Sequence, residues 1–321
     1  MNVNRFLAGA IVAGLLITFL FIALSMHAQE RIEPIPFGDF EHWKSSDIKE
    51  SFLIGGKTKT LYKIGGSWSS SNAHARALGI DKVSVSVTPE KRGDGFCCRM
   101  ESTLETVSAI GIDFKALATG SIFTGKMIDV VGMEQSSDPN SAIDMGVPFT
   151  KRPTALVLDY KAKINPNGQV VYANAGTRVK NVAGRDKGQI VLVLQHRWEE
   201  NGHVYAYRVG TATEYIEQST SGWVDGHRVE VCYGELKSDC KQPWHELTDN
   251  RFKTRNSQGK MVNIEEVGFR GEMQPTHMII QISSGSMPPF TGSPGNVVWC
   301  DNIRLAYDYS SDTSAGLRAS R

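Results

Sequence analysis

At 321 residues and a formal charge of +1, the chain is long enough to bury a full core, and its charge is too balanced for a nucleic-acid binder. Its 31 glycines, interspersed acids and bases and scarcity of 3.6-residue apolar periods argue against a helical bundle and favour strands joined by turns. Five cysteines leave one thiol over if disulfides form.

Met1 to Arg5 make a short basic lead, and Phe6 to Leu24 then run about nineteen residues without a charge. Residues 1–28 therefore read as an export signal, either cut after Ala28 or kept as a membrane anchor. Arg5 stays on the cytoplasmic side in both cases, so the body is expected to be exported: periplasmic, cell-surface or secreted. Contact with a membrane is expected only through this segment. Residues 29–37 read as a linker held extended by Pro34 and Pro36, 38–309 as a single domain, and 310–321 as a small, polar, disordered tail.

Strand-like runs then recur at Thr58 to Ile64, Lys82 to Thr88, Gly95 to Glu101, Ala155 to Ile164, Gly188 to Trp198, Arg228 to Tyr233, Met278 to Ser283 and Val297 to Tyr307. Val85, Val87, Leu156, Leu158, Ile190, Leu192 and Leu194 alternate with a period of two, as half-buried strands do. The fold class is all-β, a two-sheet, jelly-roll-like β-sandwich. Asn72 to Leu78 and Gly210 to Gln218 are expected to hold a turn or two of helix. Asn201-Gly202 marks a two-residue hairpin turn.

A glycan-cleaving β-sandwich needs two carboxylates about 5–9.5 Å apart, and no strand carries closely alternating acids. Glu199-Glu200 precede the hairpin turn, and Glu265-Glu266 read as surface. Nucleophile elbows, zinc-protease motifs and phosphate loops are absent from the sequence. His42, His74, His203, His227 and His277 are scattered, without metal-ligand spacing.

Cys232 and Cys240 bracket a short polar loop and are a candidate disulfide. Cys97 and Cys98 point to opposite faces of a strand, so only one of them could meet Cys300, and all three read equally well as small buried hydrophobes. Glu41 and Asp301 lie in the first and last strand-like segments. If those segments are neighbours, the two carboxylates with backbone carbonyls are a candidate structural calcium site.

The segments Ile35-Pro36-Phe37-Gly38-Asp39-Phe40-Glu41-His42-Trp43, Gly146-Val147-Pro148-Phe149-Thr150-Lys151-Arg152-Pro153 and Val298-Trp299-Cys300-Asp301-Asn302-Ile303-Arg304-Leu305-Ala306-Tyr307 resemble the putative carbohydrate metabolism domain family. Trp68 with Ser71-Asn72-Ala73, and Ala118 through Gly125, add to the resemblance, which covers most of Ile35 to Tyr309. It implies a secreted bacterial β-sandwich of carbohydrate-binding-module type, associated with glycan use and without a settled catalytic mechanism. Asn302 stands where the family usually has a second acid, and the Cys232 to Cys240 excursion looks like an insertion.

A sugar site of this kind needs an aromatic plate for CH faces and amides, carboxylates or guanidinium groups for hydroxyls. Trp68, Asn72 and Arg152 are the leading ligand-binding candidates, with Trp198 and Trp223 behind them. A tryptophan in a sandwich also serves as core, the role assigned to Trp43 and Trp299, and Arg152 reads equally as a loop-pinning hydrogen-bonder. The function expected is exported, non-catalytic glycan binding. The alternatives are a glycoside hydrolase or lyase whose acids meet only in space, and a surface adhesin or structural module.

Overall fold

The computed structural model describes residues 30–308 except 78, 110, 136–137, 166, 236–242 and 245; the expected export segment, the expected tail and Cys240 lie outside the described residues. In chain order, the strands that frame the site are β1 (Arg31–Pro34), β2 (Trp68–Ser70), β3 (Val87–Arg92), β4 (Gly95–Glu101), β5 (Ser121–Met127), β6 (Ala155–Lys163), β7 (Gly188–Glu200), β8 (His203–Ile216), β9 (Val224–Glu230), β10 (Met261–Phe269), β11 (His277–Ser283) and β12 (Val297–Tyr307). The described residues form no α-helix.

Two sheets carry these strands. The first runs β9-β6-β12-β4-β3, with β1 also on β12, and the second runs β5-β11-β7-β8-β10, with β2 on β5. Alternation decides how they stack. Leu156 and Leu158 of β6 with Val298 and Cys300 of β12 meet Ile190, Leu192 and Leu194 of β7 and Ile280 and Ile282 of β11 in one core. Each large aliphatic side chain buried there contributes about 1.5–3 kcal/mol. The all-β sandwich expected from the periodicity is therefore the fold.

The second sheet is also covered on its other side. Val191 and Val193, between the inward residues of β7, pack with Val204, Ala206, Phe123, Phe252 and Ile264 in a separate cluster. Burial on both faces accounts for the unbroken apolar run Ile190 to Leu194. The β7–β8 hairpin closes through Asn201 (φ 52°) and Gly202 (φ 80°), with Glu200 opposite His203, as the left-handed turn signal requires.

Some expectations are corrected. Ala73–Ala77 and β8 are strands where helical turns were expected; β8 pairs with β7 from Glu200↔His203 to Gly188↔Ile216, and that ladder outweighs local propensity. Arg31–Pro34 is a strand paired with β12 rather than linker. Glu266 lies inside β10, fully buried against the equally buried Arg208, so it is not a surface acid. Its Oε1 also accepts from Gln195 Nε2 at 2.7 Å. Cys98 and Cys300 face each other across β4 and β12, and both are free, buried thiols, as is Cys97. Burial pushes the Cys97 thiol up to about 12 and holds Cys300 well above its ordinary value, so neither is a ready nucleophile.

Candidate functional site

The leading sugar-contact candidates turn out to hold the fold. Trp68 is 4% exposed, donates its indole N–H to Pro36 O at 3.1 Å and meets Phe40 edge-on at 5.9 Å. Asn72 is buried. Its Nδ2 donates to Tyr62 O and Val87 O, and its Oδ1 accepts from Ser86 N and Val87 N, which uses its full bonding capacity. Arg152 donates to Met273 O and Gly271 O, both at 2.6 Å, and stacks 4.2 Å from the Tyr233 centroid. That is the loop-pinning role weighed for it. Trp68 does reach the wall of an apolar pocket of about 390 Å³ with Ile35, Pro36, Phe149, Met278 and Tyr307. The charged groups lining that pocket, Glu33 and Lys151, are bonded to each other at 2.7 Å.

The two carboxylates of the candidate calcium site have different protein partners. Glu41 accepts from Phe96 N at 3.0 Å, whereas Asp301 faces Arg92. Among the described residues no three His, Cys, Asp or Glu side chains are placed to hold a metal.

Chemistry converges instead on the outer face of the first sheet. β6 and β12 place Asp159 opposite Asp301 and Lys161 opposite Trp299, and β4 places Arg99 beside Trp299. Two carboxylates directly opposed would repel. Arg92, at the end of β3, resolves this: its Nη1 donates to Asp159 Oδ2 (3.0 Å) and Asp301 Oδ2 (2.7 Å), and its Nη2 to Asp225 Oδ1 (2.6 Å). Asp159 also accepts from Gly226 N, Asn302 Nδ2 and Arg304 Nη2 at 2.8–3.0 Å. An acid at 302 would press a third carboxylate on this group, whereas Asn302 supplies a donor.

The two acids are pushed apart in acidity. Burial acts to raise Asp159, but hydrogen bonds from Asn302, Gly226 and Arg92 hold it below the usual carboxylate range. Burial raises Asp301, and Arg92 with the Asn302 N–H offsets only part of it. With both oxygens of Asp159 twice bonded, that carboxylate has no lone pair left for a reacting proton. The pair works as an anchor for Arg92.

Arg92 in turn supports an aromatic surface. Its guanidinium lies 3.9 Å from the Trp223 centroid. Lys161 Nζ lies 5.5 Å from Trp223 and 4.1 Å from Trp299, and Arg99 lies 5.8 Å from Trp299. Both indoles are half-buried. Trp299 is therefore an outward residue, not core; Trp43 does pack against the core. The Trp299 Nε1 is buried without a hydrogen-bond acceptor, and among the described residues no carboxylate pairs with Lys161. From the sequence, Trp223 was expected as a sugar contact, Asp301 as a calcium ligand and Trp299 as core, and Arg92, Asp159 and Lys161 were not singled out. Asp159, Lys161 and Lys163 do alternate with Leu158 and Ala162 along β6, which was the available signal.

Trp198 belongs to a different surface. It stacks on Tyr205 (5.7 Å, 28°) and lies 4.9 Å from Tyr207, with His203 beyond Tyr205 and Arg270 beyond Tyr207. This column begins where the core ends at Leu194 and Val209. Its rings turn towards one another, a cross-strand arrangement that stabilises the hairpin.

The chain is similar to a putative glycoside hydrolase from Bacteroides thetaiotaomicron at 17% identity and a TM-score of 0.46, with 82% of this chain and 71% of that chain covered. It is similar to another from Bacteroides vulgatus at 17% identity and a TM-score of 0.45, with 83% and 96% covered. No curated protein matches it. The model of the putative carbohydrate metabolism domain matches residues 39–306, and the chain belongs to that family.

Proposed function

We propose that the protein is an exported, non-catalytic glycan-binding β-sandwich that contacts sugar through the outer face of its first sheet. The observation that carries this reading is the pair of half-buried indoles, Trp223 and Trp299, with the Lys161 ammonium between them. Indole rings match the apolar CH faces of sugars, and the ammonium is a donor for sugar oxygens. Membership of a carbohydrate-metabolism family supports the ligand class. The saturated hydrogen bonding of Asp159 favours binding over hydrolysis at this face.

The test is a pull-down on insoluble polysaccharides with a glycan array. Wild type is expected to bind at least one glycan, Trp223→Ala and Trp299→Ala each to weaken it about tenfold, and no reducing sugar to be released. Binding unchanged in both variants, or steady product release abolished by Asp301→Asn, would overturn the reading.

A further inference from the structure

The donors and acceptors of this face do not balance locally. Each acid on it has a guanidinium partner: Asp159, Asp301 and Asp225 share Arg92, while Glu90 and Glu101 lie 3.3 and 2.7 Å from Arg99. Lys161 is left over. It is held between two indoles, where cation–π attraction replaces part of its hydration but provides no counter-charge. Lys163, two residues further along β6 and exposed, adds a second ammonium without a carboxylate partner among the described residues. The unpaired groups of this surface are ammonium donors, so the partner it suits is an acceptor, best a charged one.

We infer that the glycan bound here carries an anionic group, a sugar carboxylate or sulfate ester, received by Lys161. This rests on the binding face proposed above and adds its ligand class. The indoles contact the sugar ring, and Lys161 selects the anion. An exposed ion pair is worth little, but one that is partly desolvated between two rings is screened less by salt.

The experiment compares matched polymers: polygalacturonate with its carboxyl-reduced product, and dextran sulfate with dextran, by affinity electrophoresis and calorimetry at two salt concentrations. One acidic member is expected to bind at least about tenfold more tightly than its neutral partner and to weaken as salt rises. The pair showing this difference identifies carboxylate or sulfate as the group received. Lys161→Met should reduce acidic binding to the neutral level and Lys161→Arg retain most of it, both with unchanged melting temperature. Equal binding of acidic and neutral members, or equal loss of both in Lys161→Met, overturns the inference while leaving the glycan face standing. Binding to none of the four polymers overturns the inference, and a glycan array also without signal then overturns the parent reading.

Discussion

Trp68 hands its only polar hydrogen to Pro36 O and rests on Phe40, so its ring closes the core near β1. Removing it opens a cavity and leaves a carbonyl unpaired. Trp68→Ala is expected to cost about 3–5 kcal/mol in urea unfolding; a loss below about 1 kcal/mol would mean that the ring packs loosely. The small, polar neighbours Ser67, Ser69, Ser70 and Ser71 make this indole look exposed in the sequence. Only the pairing of β2 with β5 reveals that it is not. The flanks of Trp223, Ser221-Gly222 before it and Asp225-Gly226 after, describe its position more truly. Arg92 illustrates what single-residue reading misses, because its partners stand 67, 133 and 209 residues away.

At the scale of elements, β11 begins with a histidine that the fold keeps neutral. Burial, and then the nearby Arg197 guanidinium, lower His277 to about 4. The unfolded chain binds that proton near pH 6.5. Unfolding therefore takes up a proton between those values, and the stability contributed by neutral His277 is full above about pH 6.5 and lost as pH falls towards 4. Thermal melts of wild type and His277→Gln should show wild type losing more melting temperature from pH 7 to pH 4.5. A constant difference between the two proteins across that range would mean that His277 titrates normally in the fold. The neighbouring hairpin was legible, since Asn201-Gly202 closes it where the turn chemistry says. The strand identity of Gly210 to Ile216 was not, because Gly-Thr-Ala-Thr-Glu-Tyr-Ile suits a strand only when β7 is there to pair with it.

For the whole molecule, period-two alternation and turn residues were enough to read a two-sheet sandwich, and the bounds of β4 and β12 match the expected runs. Two features of the assembly were hidden. β8 and β10 pair in parallel, which needs a long crossover instead of a turn. The second sheet buries both faces, which periodicity describes only as a continuous apolar run. The site shared this fate: its residues alternate as outward positions should, but register alone brings Asp159 to Asp301 and Lys161 to Trp299.

The pairing of β1 with β12 has a kinetic consequence. Arg31 lies opposite Tyr307, so this short ladder closes a loop of nearly the whole domain, at an entropic cost of about 5 kcal/mol in a flexible chain. The β7–β8 ladder closes across two residues. The hairpin can form early and locally, whereas β1 can dock only on a sheet that already exists. In native-state hydrogen exchange, β1 amides should open at far lower free energy than those at the centre of β7 and β8. Equal protection would mean that the domain opens only as one unit. With β1 opening first, as expected, the first of the described strands is a latch: the last piece to close and the first to release.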